Sequence, residues 1–111
     1  MAKLFQVTDK NFENEVVEAS RIMPVVVDFY ADWCPPCRQL TPHIEAVARD
    51  HAVKLKVVAV DVDVPGNDLL VNRFDVRSIP RLLFFKDGQL CDTLTGPSLT
   101  EIKEAIDRIL A

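Results

Sequence analysis

Runs of apolar residues along the chain predict strands. Two runs are nearly continuous and rich in β-branched and aromatic residues, which is typical of strands buried on both faces of a parallel sheet. A short apolar segment near the N-terminus and two segments around Asp87-Gly88 predict three more strands, the last two as a hairpin, because Asp-Gly suits a tight antiparallel turn. The five predicted strands are Leu4 to Val7, Pro24 to Ala31, Leu55 to Val62, Arg81 to Lys86 and Gln89 to Thr95.

Helical spacing follows the cysteine-rich segment. Leu40, Ile44 and Val47 recur at intervals of three and four residues, which predicts a helix from Pro35 to about Asp50 with prolines in its first turn. We expect Pro42 to kink this helix, because an interior proline removes a backbone hydrogen bond.

Three further segments predict helices. Thr8 is expected to cap a helix that carries Phe12 and Val16, and a short helix is expected after Gly66. Ser98 and Glu101 match a capping box ahead of an amphipathic segment that reaches Leu110.

The resulting order, β-α-β-α-β-α-β-β-α, indicates an α/β protein with a mixed sheet, and we expect one domain over residues 1–111. Functional groups in such sheets collect at the carboxyl ends of the parallel strands. Cys34 lies just past the end of the second predicted strand, so the candidate reactive cysteine is at the edge of the sheet where functional groups are expected.

Composition excludes several classes of protein. The chain has 111 residues, 49% of them apolar and 27% charged, which is in the globular range. A net charge of -4 argues against nucleic acid as a partner.

The apolar run Ile22 to Val27 is interrupted by Pro24 and is far shorter than the roughly 20 residues of a membrane span, so we expect a soluble chain with no membrane partner. The N-terminus has no signal-peptide pattern, and we expect a cytoplasmic protein unless an export signal has been removed.

Cys34-Pro35-Pro36-Cys37 is the strongest chemical signal. At the start of a helix, the thiolate of Cys34 is favoured by the helix dipole and by free backbone N–H groups. Cys37, one turn further in and expected to be less exposed, could then resolve a mixed disulfide by attacking Cys34. A zinc site is not expected, because only Cys91, His43 and His51 remain as ligands and they lack metal-binding spacing. A purely structural disulfide is not expected in a reducing cytosol.

The motifs together resemble the thioredoxin family over nearly the whole chain. They are Val27-Asp28-Phe29-Tyr30-Ala31-Asp32-Trp33-Cys34-Pro35-Pro36-Cys37-Arg38, Pro42, Ser78-Ile79-Pro80, Phe85-Lys86-Asp87-Gly88 and Gly96. The resemblance implies a thioredoxin fold: a central mixed five-stranded sheet of strand order 1-3-2-4-5, flanked by four helices, with Pro80 in cis beside the disulfide.

The resemblance also implies an activity. It indicates a thiol-disulfide oxidoreductase, a dithiol carrier that reduces protein disulfides through Cys34 and Cys37. The carrier would hold no cofactor and would receive electrons from NADPH through a separate thioredoxin reductase; we expect a monomer. Two alternatives stay open: a dedicated reductant for one partner, and a redox-independent binding module that uses the active-site groove only for docking.

Asp28 and Trp33 are candidate site residues. A carboxylate is costly to bury, so burial should raise the pKa of Asp28. The resemblance implies that Asp28 accepts the proton of Cys37 through a water, whereas the alternative is a carboxylate hydrogen-bonded to backbone at a strand bend. Trp33 is expected to shelter the disulfide and contact substrate, with a place in the core as the alternative.

A substrate groove is expected around Trp33, Pro35, Pro36, Ile79, Pro80 and Gly96. A cis bond at Pro80 would leave the backbone of Ile79 free to pair with an extended substrate, and Gly96 would allow close backbone approach. Arg81 could bias this groove toward acidic partners or simply be solvated.

The chain departs from the family at two places and carries one extra cysteine. Most thioredoxins have Gly-Pro between the cysteines, and Pro35-Pro36 instead resembles tryparedoxins and nucleoredoxins. Ala59 stands where the family has a lysine beside the buried aspartate. Cys91 is expected to be a small buried hydrophobe, with a role in regulation or dimer formation as the alternative.

Overall fold

The computed structural model of the protein describes residues 4–111 and confirms the predicted order of elements. The strands are β1 Phe5–Gln6, β2 Val25–Tyr30, β3 Lys56–Asp61, β4 Arg81–Lys86 and β5 Gln89–Thr95. The helices are α1 Pro35–Asp50, α2 Asp68–Arg73 and α3 Leu99–Leu110, preceded by an N-terminal helical segment, Glu13–Glu18 and Ala19–Arg21. Within the described part, no helix is long and apolar enough to span a membrane.

The five strands form one mixed sheet in the order β1-β3-β2-β4-β5, as the family resemblance implied. Strands β1 and β2 run parallel to β3, whereas β4 runs antiparallel to both β2 and β5. All six residues of β2 are buried, because this strand lies in the middle of the sheet and is covered on both faces. Its position explains the near-continuous apolar run from which it was predicted.

Two apolar clusters cover the two faces of the sheet. Val25, Val27 and Phe29 belong to one cluster, which includes the N-terminal helical segment and α2. Val26 and Tyr30 belong to the other, which contains both active-site cysteines and residues of α1 and α3. Because side chains alternate along a strand, Asp28 lies on the same face as the cysteines.

The N-terminal helical segment differs from the prediction. Thr8 does not cap it: the Thr8 amide donates to Asn11 Oδ1, and the Thr8 hydroxyl accepts from the Lys10 amide at 3.3 Å. These local hydrogen bonds form a turn ahead of the helix, which begins at Glu13 with no side-chain cap. The segment is wound as a π-helix and then as a 3₁₀-helix.

The other helices confirm the sequence pattern. Helix α1 begins with Pro35 and Pro36 in its first two positions and continues through Pro42. Whether Pro42 kinks it stays a prediction. Ser98 and Glu101 form both hydrogen bonds of the capping box at the start of α3, and each satisfies an amide that the helix leaves unpaired.

Cys91 is exposed, so its expected burial is wrong. The pairing of β4 with β5 changes register between Phe84, which lies opposite Asp92, and Phe85, which lies opposite Leu90. Cys91 is the unpaired residue at this irregularity, and a bulged residue on an edge strand is turned away from the regular alternation of faces.

Candidate active site

The active-site cysteines lie where the start of α1 meets the carboxyl end of β2. Cys34 is the N-cap of α1, and its Sγ accepts a hydrogen bond from the backbone N–H of Cys37 at 3.3 Å. Pro35 and Pro36 have no N–H, so the amide of Cys37 is the first in the helix that can donate to this sulfur. The helix start therefore provides a donor for a thiolate at Cys34.

Cys34 and Cys37 are joined as a disulfide, with their Cα atoms 5.2 Å apart. Each is 3% exposed, so the expectation that Cys37 is the less exposed of the two is wrong for this closed form. Both cysteines belong to the same apolar cluster. Cys34 Sγ also lies 4.0 Å from the carbonyl oxygen of Ile79, which covers it from the neighbouring loop.

The peptide bond between Ile79 and Pro80 is cis, as expected. The Gly96 amide donates to the carbonyl of Pro80 at 2.9 Å, which ties the end of β5 to the loop beside the disulfide. Gly96 has φ +54°, and a Cβ built there would meet nothing within 4 Å. Positive φ is therefore the local requirement for glycine, and the space beside it is open to an approaching chain.

Three of the predicted groove residues line one groove of about 310 Å³: Pro36, Pro80 and Gly96. Trp33, Pro35 and Ile79 do not line it. Gln39 and His43, which were not predicted as groove residues, also line it from helix α1. Their spacing of three and seven residues from Pro36 is the helical signal that places all three side chains on one face.

Trp33 is 64% exposed, which excludes a place in the core. Its indole Nε1 donates to Asp63 Oδ2 at 2.7 Å, an interaction that the sequence analysis missed. The available signal was topological: Asp63 follows β3, whose carboxyl end lies beside that of β2. Asp63 thus orients an exposed aromatic ring directly before the reactive cysteine.

Asp28 is 2% exposed, and no described residue donates a hydrogen bond to its Oδ1. Its neighbours across the sheet are Ala59 and Leu82, so neither strand supplies a counter-charge. Burial raises the pKa of Asp28 from 3.8 to about 7, as expected in direction. The unpaired Oδ1 disfavours the alternative of a carboxylate held by backbone amides.

Within residues 4–111, no group of three or more His, Cys, Asp or Glu side chains could hold a metal ion. His51 Nδ1 lies 3.1 Å from its own helix's Val47 carbonyl, and His43 faces the groove. The disulfide between Cys34 and Cys37 closes at a helix N-terminus whose backbone amide can stabilise a thiolate, so the pair is suited to exchange with other thiols and disulfides.

Comparisons with known proteins agree with this chemistry. The model of the Thioredoxin family matches residues 3–108. The chain is 44% identical over 90 residues to "Thioredoxin" of Rickettsia bellii, covering 81% of this chain and 82% of the relative. It is 44% identical over 90 residues to "Thioredoxin 1" of Synechococcus elongatus, covering 81% and 80%. It is 40% identical over 103 residues to "Thioredoxin" of Rickettsia typhi, covering 93% and 92%.

The chain belongs to the thioredoxin family. It is therefore a protein-disulfide oxidoreductase, and the alternative of a redox-independent binding module is not favoured.

The raised pKa of Asp28 predicts a pH-dependent stability. Because the folded pKa, about 7, exceeds the unfolded value of 3.8, the folded state binds the extra proton between these values, and the free energy of unfolding falls as pH rises across that range. The whole loss should be about 4 kcal/mol. Asp28→Asn removes this titration, so the variant should gain stability relative to the parent by up to about this amount from pH 4 to pH 8.

Urea denaturation of parent and variant at both pH values measures the effect. Asp107→Asn, which removes an exposed carboxylate from α3, is the matched control for the loss of one charge. If the parent and Asp28→Asn lose or gain stability in parallel with pH, then Asp28 is not a buried, titrating carboxyl group.

Proposed function

We propose that Cys34 attacks the disulfide of a protein substrate and that Cys37 completes the transfer. The observation that carries this assignment is the hydrogen bond from the Cys37 amide to Cys34 Sγ at the start of α1. That donor and the helix dipole both favour negative charge on the Cys34 sulfur, whereas Cys37 lies inside the first turn.

The transfer takes two steps. The Cys34 thiolate attacks one substrate sulfur, the substrate S–S bond breaks, and a Cys34–substrate mixed disulfide forms as the second substrate thiolate leaves. Cys37 then loses its proton and attacks Cys34 Sγ, which breaks the mixed disulfide and releases the first substrate thiolate. The protein ends with the Cys34–Cys37 disulfide, and the substrate ends with two thiols after protonation.

We assign the proton of Cys37 to Asp28. The carboxyl group is on the sheet face that carries Cys37, and its pKa of about 7 lets it accept and return a proton near neutral pH. Ala59, across the sheet from Asp28, supplies no charge, and burial is the main cause of this raised pKa. A water between the two groups would carry the proton.

The groove beside the disulfide is the proposed substrate site. Pro36, Pro80 and Gly96 line it, and the open space at Gly96 accommodates an approaching backbone. The nearness of the Ile79 carbonyl oxygen to Cys34 Sγ supports pairing of the Ile79 backbone with an extended substrate segment. Trp33 and Pro35, which flank Cys34 in the chain, are further residues that we expect a substrate to contact.

We further propose that the protein acts as a monomer in the cytoplasm and holds no cofactor. Electrons would come from NADPH through a separate thioredoxin reductase. A second candidate function is that of a dedicated reductant for a single partner. One observation favours it: Pro35 and Pro36 leave the first two positions of helix α1 without a backbone N–H, at the helix start that would contact substrate and reductase.

A coupled assay tests the assignment of the cysteines. With NADPH, a thioredoxin reductase and a disulfide-containing protein, the parent should turn over and Cys34→Ser should be inactive. Cys37→Ser should complete the first attack and then stall as a mixed disulfide that non-reducing electrophoresis detects, because no second thiol attacks Cys34. Cys91→Ser is the control for loss of a cysteine outside the site and should behave as the parent.

Two outcomes would contradict parts of this account. Normal turnover by Cys37→Ser would show that the two-step mechanism is wrong. If a chemical dithiol sustained turnover of the parent but every thioredoxin reductase tested failed to do so, the result would support the dedicated reductant instead.

Pro35 should tune the reduction potential rather than create the activity. Pro35→Gly adds a backbone N–H near the Cys34 thiolate and gives the open dithiol more freedom, and both effects favour the reduced form. Each effect should contribute at most about 1 kcal/mol, and about 30 mV corresponds to 1.4 kcal/mol, so the potential should rise by tens of millivolts. Equilibration with glutathione buffers measures it; a lower potential for Pro35→Gly would contradict both effects.

A further inference from the structure

The groove beside the disulfide continues along helix α1 with two polar side chains. Gln39 and His43 follow Pro36 by three and seven positions, so the three residues lie on one face of the helix and line the groove together. Both polar side chains are exposed, and neither has a hydrogen-bond or ion-pair partner within residues 4–111. Their polar atoms are therefore available to a substrate that occupies the groove.

The position of His43 determines which part of a substrate it can contact. The groove begins beside the disulfide at Pro36, and His43 lies seven residues further along α1. At a rise of about 1.5 Å per residue, this separation is about 10 Å along the helix axis. An extended chain advances about 3.3 Å per residue, so a substrate segment that enters the groove from the disulfide reaches His43 at about the third residue from its reactive cysteine.

His43 also determines which charge the groove can carry. Among the described residues that line the groove, His43 alone has a side chain that can be charged, and that charge is positive. Glu101, in the first turn of α3, is engaged by the backbone N–H of Ser98 at 2.9 Å as part of the capping box. The groove therefore offers hydrogen-bond donors and a possible positive charge to a substrate, with no acidic side chain in its lining.

Carboxylates lie instead on the Trp33 side of the disulfide. Asp63 accepts the hydrogen bond of the Trp33 indole at 2.7 Å, and Asp32 and Asp61 line a separate cavity of about 430 Å³. A carboxylate of the substrate would be repelled on this side, whereas the donors of the groove would form charge-assisted hydrogen bonds with it. The two sides of the disulfide thus differ in the substrate charge that they favour.

Arg81 does not provide this difference. Strand pairing places it opposite Phe29, which belongs to the apolar cluster on the sheet face away from the cysteines. Its Nε is buried with no hydrogen-bond partner among the described residues, and it is not among the residues that line the groove. The bias toward acidic partners that the sequence suggested for Arg81 therefore does not follow from its position.

We infer that His43 is a specificity-determining residue that binds a carboxylate side chain about three residues from the reactive cysteine of the substrate. Gln39 provides a second donor on the same helix face. The inference rests on the proposed substrate groove and adds selectivity for acidic segments to a reaction whose chemistry belongs to Cys34 and Cys37.

Peptide mixed disulfides test the inference. Short Gly/Ser peptides with one cysteine, coupled to 2-thiopyridine, carry a single Glu, Gln or Lys at one of the five positions before or after that cysteine. The reduced protein carries Cys91→Ser, so that its exposed thiol does not react. Attack of Cys34 on the peptide sulfur breaks the S–S bond and releases 2-thiopyridone, which stopped-flow absorbance follows.

The expected result is a preference at one position. At low salt, the Glu peptide should react about threefold faster than the Gln peptide when the residue is about three positions from the cysteine, on one side only. The Lys peptide should react more slowly than both at that position. The preference should decrease as salt is added, because the contact is exposed to solvent.

Charge reversal assigns the effect to His43. His43→Glu should invert the order at the same position, so that the Lys peptide reacts faster than the Glu peptide; a misfolded chain would not give an inversion at one position. His43→Leu should bring the Glu and Gln rates together. His51→Glu makes the same substitution at the end of α1, eight residues further from the disulfide, and should keep the preference of the parent.

The inference is wrong if the parent reacts with the Gln peptides but shows no preference for Glu at any position. It is also wrong if His51→Glu inverts the order as much as His43→Glu does, since that result would reveal only the general field of the protein. A parent that reacts with none of the peptides, or a Cys34→Ser variant that reacts as fast as the parent, would count against the proposed function itself, and the inference would fall with it.

Discussion

The attachment of helix α1 to the carboxyl end of the central strand β2 is the constraint on which the chemistry depends. Strand β2 is buried throughout, and three residues separate its end from Cys34, which is the N-cap of α1. Pro35 and Pro36 preset the first helical turn and leave the Cys37 amide as the donor to the Cys34 sulfur. The fold therefore places both cysteines and the cis-proline loop around one point.

Burial of β2 also has an unfavourable consequence, which falls on Asp28. A position in the central strand that keeps β2 rigid also removes water from this carboxyl group, and Ala59 offers no compensating charge. The raised pKa of Asp28 is thus a cost to the folded state, and on the proposed mechanism it serves the step in which Cys37 loses its proton. Stability and proton transfer are linked through one side chain.

Local patterns predicted most of the fold, and long-range contacts account for what they missed. The bounds of α1, β4 and β5 followed from helical spacing and from the Asp-Gly turn, which are local signals. The exposure of Cys91 depends on a change of register between two strands. Likewise, neither the bond from Trp33 to Asp63 nor the missing partner of Arg81 could be predicted without the packing of distant segments.

On the proposed mechanism, the environment of the helix start, rather than exposure, makes Cys34 the nucleophile. Cys91 is an internal reference because it is a free, exposed thiol outside the site. Brief alkylation of the reduced protein with iodoacetamide at pH 7, followed by peptide mapping, ranks the three thiols by rate. Cys34 should be labelled before Cys91, and Cys37 should be labelled last; an order that follows exposure, with Cys91 first, would show that the helix start does not activate Cys34.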